Sequence, residues 1–354
     1  MKAPFPYMGG KSAVAPVVWR ALGQPKHYIE PFAGSLAVLL ARPDYRPGEH
    51  IETVCDADGL ICNVWRGLQF APDEVARWCD WPVFHACLSA RKARLIAHKE
   101  RCLKNLIADE KWFDAELAGY WVWAASCWIG RGLTSETCPG QRPHFSHGGM
   151  GVHALGRIPH LSNGGRGVHA LGQRPHLGDG GMGEDCPDVR APYNTNIFTW
   201  FRRLSERLRY VRVVCGDWTR VCGGDWQDSE GTVGIFFDPP YASDRDAGLY
   251  DCDSMTVARD VEAWVLERGE RPSYRIVVAG YDDEYQSLTP TSGWRRINWT
   301  AQGGYSSTRR TKAETRGSAN RHRECLWFSP HCVDRESELP LIMRIEAEAG
   351  GLPL

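Results

Sequence analysis

The stretch Val233-Gly-Ile-Phe-Phe-Asp-Pro-Pro-Tyr241 decides the fold that the sequence predicts. Its opening run, Val233 to Phe237, is apolar, which is typical of a strand buried on both faces of a parallel sheet. The strand runs directly into Asp238 and two prolines. Open α/β sheets bind their ligands at the carboxyl ends of their strands. The stretch therefore predicts a mainly parallel α/β sheet with Asp238 at its ligand-binding edge.

The segment Asp238-Pro239-Pro240-Tyr241 also has the composition of a catalytic motif. The prolines stiffen the backbone and lack N–H groups, which leaves carbonyl oxygens as acceptors. A carboxylate and such a carbonyl can each accept a hydrogen from a planar amine, which localises and aims the nitrogen lone pair. Tyr241 can stack on a base taken out of a duplex. The alternative is a strand-ending turn without chemistry, because Asp-Pro-Pro is also a good turn sequence.

A second strand-turn-helix pattern lies near the amino terminus. His27 to Phe32 predicts a strand, Leu36 to Ala41 a short helix, and Ile51 to Cys55 the next strand. Gly34, at the tip of the turn, would let a nucleoside-like cofactor approach the backbone. Asp56 ends the next strand, where a ribose-binding acid is expected.

A third signal is the turn Gly9-Gly10-Lys11. It resembles part of a phosphate-binding loop, but the full spacing of that motif is missing, so a nucleoside triphosphate site is not expected. The alternative interpretation is a flexible turn that places Lys11 and Tyr7 against a cofactor.

The rest of the chain alternates helices with strands, which favours the same parallel α/β class. The predicted elements are a helix over Asn196–Tyr210, strands over Val211–Cys215 and Val233–Phe237, a helix over Val257–Leu266, and strands over Arg275–Gly280 and Glu324–Phe328. Asp217, just after one of these strands, is a candidate for contact with the adenine amine of a cofactor or with a target base.

Residues 73–130 have apolar positions at helical spacing and a cluster of basic side chains. The basic residues are Arg91, Lys92, Arg94, Lys99, Arg101 and Lys104. A solvated helix face is the favoured interpretation of these charges, with contact to a DNA backbone as the alternative.

The three motifs, in their order along the chain, resemble those of the Dam-like class of DNA adenine-N6 methyltransferases. They are the Gly-Gly-Lys turn, Glu30-Pro31-Phe32-Ala33-Gly34 and the distant Asp238-Pro239-Pro240-Tyr241. The resemblance covers about residues 4–328, and residues 320–326 are similar to the closing basic strand of that family. The family usually has a second glycine in the cofactor turn, where this chain has Leu36.

The resemblance implies a Rossmann-like methyltransferase sheet that binds S-adenosyl-L-methionine and modifies a flipped-out adenine in double-stranded DNA. The catalytic residues would be Asp238, Pro239, Pro240 and Tyr241. The cofactor-binding residues would be Tyr7, Gly9, Gly10, Lys11, Glu30, Pro31, Phe32, Gly34, Asp56 and Asp238. The alternatives are a methyltransferase for another planar amine, such as RNA adenine or cytosine N4, and a catalytically weak DNA-binding protein with the same fold.

This interpretation divides the chain into a catalytic domain with two inserted regions. The catalytic domain comprises residues 1–72 and 189–330, interrupted by a helical target-recognition subdomain over 73–140 and a Gly/His/Arg-rich repeat insertion over 141–188, and residues 331–354 form a tail.

The repeat insertion has three copies, which begin at Gln141, Arg157 and Gln173. Glycine and proline are too frequent for a helix or a long strand. Its histidines recur at the repeat spacing rather than as a compact ligand set, so no metal site is expected. Its arginines are candidate DNA contacts, with a neutral expansion as the alternative. They are Arg142, Arg157, Arg166 and Arg174.

A second basic run extends from Arg295 to Arg323, with Trp294, Trp299 and Tyr305 interleaved. Gly303-Gly304 and Ser306-Ser307 make part of this run a mobile loop. The run is a candidate clamp on a DNA backbone that orders on binding, with a solvated loop as the alternative. The candidate contacts are Arg309, Arg310 and Lys312.

The bulk composition fits a soluble globular protein, and we expect an enzyme that acts alone as a monomer in the cytoplasm. The chain has 354 residues, a hydrophobic fraction of 43% and a formal net charge of −1, so any DNA-binding surface must be local. The 13 cysteines are scattered, without zinc-ligand spacing, and reduced thiols are expected. No signal peptide and no apolar run long enough for a membrane span are evident.

Overall fold

The computed structural model of the chain describes residues 1–5, 7, 9–81, 85–128, 132–135, 193–224, 231–240, 257–299 and 323–333. Nine helices and seven strands lie in this part. The helices are α1 (Ala15–Leu22), α2 (Ala37–Leu40), α3 (Gly59–Phe70), α4 (Pro72–Cys79), α5 (His85–Ala108), α6 (Ala115–Cys127), α7 (Tyr193–Leu208), α8 (Thr219–Cys222) and α9 (Val257–Gly269). The strands are β1 (His27–Glu30), β2 (Ile51–Asp56), β3 (Val211–Cys215), β4 (Val233–Phe237), β5 (Tyr274–Tyr281), β6 (Arg295–Asn298) and β7 (Glu324–Phe328).

The strands form one sheet in the order β3-β2-β1-β4-β5-β7-β6. The first five are parallel to one another, and β7 runs antiparallel between β5 and β6. Every residue of β1 and β4 is buried, as the apolar run of β4 predicts for a sheet covered on both faces. The α/β class is confirmed, and the order of the first five strands is compatible with a Rossmann-like fold.

The strand order reverses at β1. Its neighbours are β2 on one side and β4 on the other, with His27 opposite both Ile51 and Val233. A reversal of this kind opens a crevice outside the carboxyl ends of the two central strands. The residues after β1 and β4 therefore lie where a ligand is expected, and the amino end of antiparallel β7 lies at the same edge.

The helices of residues 72–127 pack on α3 and share a core with the sheet. Arg66 of α3 links the helices to the sheet, because its guanidinium donates to the carbonyls of Val213 in β3 and Leu106 in α5. Asn63 and the backbone of Asp114 exchange two hydrogen bonds of 2.8 and 2.7 Å, which fix the start of α6. The helical character predicted for residues 73–130 is confirmed where the structure describes them.

Some boundaries differ from the predicted ones. β1 ends at Glu30 rather than Phe32, because a proline follows and cannot donate to a ladder. α7 begins at Tyr193, earlier than predicted. At the other end of the described chain, Cys332 is buried and the N–H of Val333 donates to the carbonyl of Ala21.

The second basic run begins with a strand that was not predicted from the sequence. Arg295–Asn298 is the edge strand β6, paired with β7. Trp294 and Trp299, at its two ends, are buried in the core and are not available to DNA. Exposure alternates from Arg296 to Trp299 with the period of two that is typical of a strand. The charged residues in this segment made the strand pattern hard to recognise in the sequence.

In the described ranges, no helix combines the length and apolarity that a membrane crossing requires.

Candidate functional site

Lys11 is buried at the carboxyl edge of the sheet. Its carbonyl accepts hydrogen bonds from the backbone of Val14 and Ala15, which fixes it at the start of α1. Its side chain is 5% exposed, and Nζ lies 3.0 Å from Oδ1 of Asp238. Nζ also donates to the carbonyl oxygen of Gly9 over 2.8 Å. The structure thus brings Lys11, proposed from sequence as a cofactor ligand, against the first residue of the proposed catalytic motif.

Asp238 follows the fully buried strand β4 and keeps 21% of its side chain exposed. Pro239 is buried and Pro240 is half-buried. A carboxylate on a rigid strand end, with a fixed ammonium beside it, can present its oxygens to a ligand in a defined direction. Tyr241, the last residue of the motif, lies outside the described residues.

The ring of Tyr7 lies directly over Gly34. A Cβ added to Gly34 would be 2.7 Å from Tyr7 Cε1, and the φ of Gly34 is +44°. Glycine is required here on both counts, because a side chain would collide with the ring and would strain the backbone. The N–H of Gly10 donates to the carbonyl of Tyr7 over 3.3 Å, so the Gly9-Gly10 turn supports this ring. The sequence predicted that a cofactor approaches Gly34. In the structure the ring of Tyr7 occupies the space next to this glycine.

Glu30 stabilises the turn after β1 from its buried side. It is 3% exposed, and Oε2 accepts hydrogen bonds from the hydroxyl of Tyr28 and the N–H of Leu39. Burial raises the pKa of Glu30 to about 8; the negative charge of Asp238 adds to the rise, and the two hydrogen bonds oppose it. Pro31, the next residue, is buried as well. Glu30 therefore joins β1 to α2 beneath the turn.

Asp56 joins the turn after β1 to the start of α3. One carboxylate oxygen accepts from the N–H of Gly34 and the other from the N–H of Asp58, each over 2.8 Å. Burial raises the pKa of Asp56 to about 6, with a further rise from the charge of Asp58 and a lowering from the two hydrogen bonds. Gly34 and Asp56, which were predicted from the sequence to bind the cofactor together, are therefore in direct contact.

An aromatic cluster adjoins the same edge. The ring of Phe32, proposed as a cofactor contact, lies 6.5 Å from Trp218 and 6.3 Å from Phe237, measured between centroids. Sequence reasoning missed Trp218, although its place just after β3 puts it at the carboxyl edge. Asp217 is exposed, and its Oδ1 accepts hydrogen bonds from the backbone and hydroxyl of Thr219.

Sequence reasoning also missed Glu324, which begins β7 and approaches Lys11. Its Oε2 lies 3.9 Å from Nζ of Lys11. The signal was weak, since a single acid at the start of an antiparallel strand gains meaning only when the strand order is known.

The basic residues of α5 are partly engaged within the protein. Arg91 is buried at 6% exposure among the rings of Trp81, Tyr120 and Trp123. It is therefore neither a solvated side chain nor a DNA contact. Two others form ion pairs with the acids of the α6 region, Arg94 with Glu116 and Arg101 with Asp114.

The proposed DNA contacts lie outside the described residues. They are Arg142, Arg157, Arg166, Arg174, Arg309, Arg310 and Lys312. The described ends of the second basic run are engaged internally: Arg296 donates to the carbonyl of Asp282, and Arg323 pairs with Asp282 and Asp283.

In comparisons with known proteins, no family model and no curated protein matched the chain.

Proposed function

We propose that the chain is an S-adenosyl-L-methionine-dependent methyltransferase that modifies the N6 amine of adenine in double-stranded DNA. One observation carries the proposal. Asp238 follows a buried central strand at the point of strand-order reversal, and the buried ammonium of Lys11 lies 3.0 Å from its carboxylate. Two residues from distant motifs thus meet where this fold class binds its ligands.

The carboxylate of Asp238 accepts one hydrogen of the target amine, and a carbonyl of the Pro-Pro segment accepts the other. These bonds draw the lone pair out of the aromatic ring and aim it in line with the methyl group. Lys11 keeps the carboxylate from rotating away from this direction. Tyr241 stacks on the flipped-out base, as the family resemblance implies.

The residues at the edge fit the nucleoside part of the cofactor. Asp56 is a half-buried carboxylate at the end of β2, and carboxylate oxygens accept hydrogens from ribose hydroxyls. Phe32 is half-buried and offers an apolar surface next to Trp218 and Phe237. When bound, the cofactor would supply the electrophilic methyl group: its C–S bond would break as the N–C bond forms, leaving the neutral thioether. The amine would then lose one proton, which the carboxylate of Asp238 can accept. The chain's own residues orient the amine, hold the acceptors and keep the turn rigid.

Leu36 favours an active enzyme over a catalytically weak relative. It occupies the place of the family's second glycine, yet its backbone has φ 53° and ψ 28°, the left-handed conformation that glycine favours. The turn therefore keeps a glycine-like shape without the glycine.

Residues 73–140 and the repeat insertion would contribute target recognition, with duplex DNA as the partner. We place the enzyme in the cytoplasm, acting as a monomer.

The test is a methyl-transfer assay on the full chain with labelled S-adenosyl-L-methionine. Unmethylated plasmid DNA, the same DNA made single-stranded, and total RNA serve as substrates, followed by nucleoside analysis of the products. We expect N6-methyladenine in the duplex DNA, and none with the matched Asp238→Asn variant. Transfer only to RNA, or production of N4-methylcytosine, would overturn the assignment of duplex-DNA adenine as the substrate. Binding of DNA without transfer to any substrate would overturn the enzymatic proposal.

A further inference from the structure

Glu324 belongs to the ion-pair cluster of the site, although it is not one of the residues proposed to bind the target amine or the cofactor. Its Oε2 lies 3.9 Å from Nζ of Lys11, and its side chain is 13% exposed. The same ammonium lies 3.0 Å from Oδ1 of Asp238. One buried cation therefore joins two carboxylates that come from different strands.

The backbone of Glu324 is fixed on both sides by the sheet. β7 lies between β5 and β6, and Glu324 is opposite Tyr281 in the ladder with β5. On the other side, its carbonyl accepts a hydrogen bond from the N–H of Trp299 over 2.9 Å. Glu324 is thus a carboxylate on a rigid strand, held against the flexible end of a lysine.

A lysine does not hold its own direction, because its four-carbon stem carries three rotatable donors. A contact with Asp238 alone would let the ammonium follow that carboxylate as it turns. The carbonyl of Gly9 and the carboxylate of Glu324 supply two further fixed directions. Lys11 can therefore hold Asp238 in place because two further groups also hold its ammonium.

Glu324 also changes the charge of the cluster. The Lys11–Asp238 pair is neutral by itself, and the second carboxylate leaves one negative charge in excess. An amine that attacks a methyl sulfonium gains positive charge as the new bond forms. A nearby negative charge stabilises this change more strongly at a protein edge than it would in bulk water.

We infer that Glu324 is a positioning residue for the proposed methyl transfer, acting through Lys11 on Asp238. It fixes the ammonium and leaves the cluster negatively charged. The inference rests on the proposed function, because the reaction is what Asp238 is positioned for.

The kinetic test compares Glu324→Gln with the wild-type enzyme. The variant keeps the size of the side chain and removes its charge, so kcat should fall about tenfold, which corresponds to about 1.4 kcal/mol. The KM values for cofactor and DNA should change by no more than about twofold, since the residue touches neither. Glu324→Asp, which retains the charge, should recover part of the loss.

Asp283→Asn is the matched control. Asp283 lies at the same edge of the sheet, and its side chain is 65% exposed and pairs with Arg323 rather than with Lys11. The kcat of the Asp283→Asn variant should therefore equal the wild-type value. Wild-type kcat in Glu324→Gln would overturn the inference. An equal fall in kcat for the Asp283→Asn control would also overturn it, because the effect would then be one of general charge.

A second arm needs no activity. Glu324→Gln is measured by thermal unfolding in the wild-type chain and in a Lys11→Met background, as a double-mutant cycle. We expect a lower Tm in the first case and an unchanged or higher Tm in the second, because no ammonium then opposes the two carboxylates. Equal losses in both backgrounds would overturn the link through Lys11. If the wild-type chain shows no methyl transfer, the proposed function fails, while this cycle still decides whether Lys11 and Glu324 are coupled.

Discussion

The ammonium of Lys11 and the carboxylate of Asp238 are 3.0 Å apart, with 5% and 21% of their side chains exposed. The pair joins the first turn of the chain to the end of β4. Because Lys11 also anchors α1 through its carbonyl, the position of Asp238 depends on the amino-terminal segment as well as on its own strand. The proposed catalytic motif and the amino-terminal motif thus form one unit.

Replacement of Asp238 tests this unit. We expect Asp238→Ala to lower methyl transfer by at least about 10³-fold, as for the loss of a key electrostatic group. Stability should fall by about 1–3 kcal/mol, less than the 3–5 kcal/mol typical of a fully buried pair, because Asp238 is partly exposed. Turnover and urea unfolding are measured side by side, with Asp283→Ala as the control. A folded variant with near wild-type turnover would refute the catalytic assignment.

Asp56 should make cofactor binding depend on pH. Its pKa is raised from 3.8 to about 6 by burial, so it is a carboxylate above pH 6 and a neutral acid below. A ribose hydroxyl needs the carboxylate as acceptor, so the Kd for S-adenosyl-L-methionine should rise as the pH falls through about 6. Calorimetric titrations between about pH 5 and 8, in wild type and Asp56→Asn, measure this. The variant should bind weakly with a flatter profile, and parallel profiles would refute the ribose role.

The same group should affect stability in the opposite direction. A pKa that is higher in the folded than in the unfolded chain means that the folded state binds the proton more tightly. Asp56 therefore disfavours folding progressively as the pH rises from about 4 to 6. Relative to Asp56→Asn, the wild-type chain should lose stability over this interval while it gains cofactor affinity. A common direction for the two properties would show that global unfolding dominates both.

The sequence predicted the parts of the fold that depend on local pattern. The apolar run of β4 ending in Asp238 was sufficient to place that residue at the carboxyl edge of a sheet. The contact with Lys11 was not predictable, since it depends on a crossover order that no local pattern specifies. The ring of Tyr7 over Gly34 is a similar case: the glycine was recognised, but the side chain that requires it comes from another segment.

Leu36 should show the energetic balance of its turn. Its left-handed backbone costs a residue with a Cβ about 1–2 kcal/mol, whereas its fully buried side chain contributes about 2–5 kcal/mol. Leu36→Gly and Leu36→Ala should therefore both be less stable than wild type in urea unfolding. Between them, we expect the glycine variant to be more stable by about 1 kcal/mol, because only alanine retains the strain. The order usual within helices, alanine above glycine, would contradict the left-handed conformation.

Arg91 should matter for stability and not for DNA. Its guanidinium carbon lies 4.3 Å from the ring centroid of Tyr120 and 4.4 Å from that of Trp123, and it donates to the carbonyl of Trp78. A lysine cannot reproduce this planar stacking, so Arg91→Lys should lose about 1–3 kcal/mol. Lys104→Ala, exposed on the same helix, should stay within about 0.5 kcal/mol of wild type. A stable Arg91→Lys variant with weakened DNA binding would reverse this assignment.

The repeat insertion should contribute to DNA binding and not to cofactor binding. We expect deletion of residues 141–188, bridged by a short flexible linker, to leave the Kd for S-adenosyl-L-methionine unchanged. Residues 141–178 contain four arginines and no acid, so each lost phosphate contact should reduce the slope of log affinity against log salt by about 0.9. Titrations of one duplex at several salt concentrations measure this slope, and mapping of methylated sites measures site choice.

A matched full-length variant separates the charge of the insertion from its bulk. It replaces the arginines with glutamine and keeps the repeats, and the replaced residues are Arg142, Arg157, Arg166 and Arg174. If these side chains contact phosphates, the variant should reproduce the reduced salt slope of the deletion, because each neutralised phosphate contributes separately.

A wild-type slope in this variant together with a reduced slope in the deletion would assign the effect to the backbone or to other residues of the insertion. Identical slopes and identical methylated sites in all three proteins would show that the insertion is passive. Unfolding of the deletion protein, with a folded glutamine variant, would show that the repeats pack against the core.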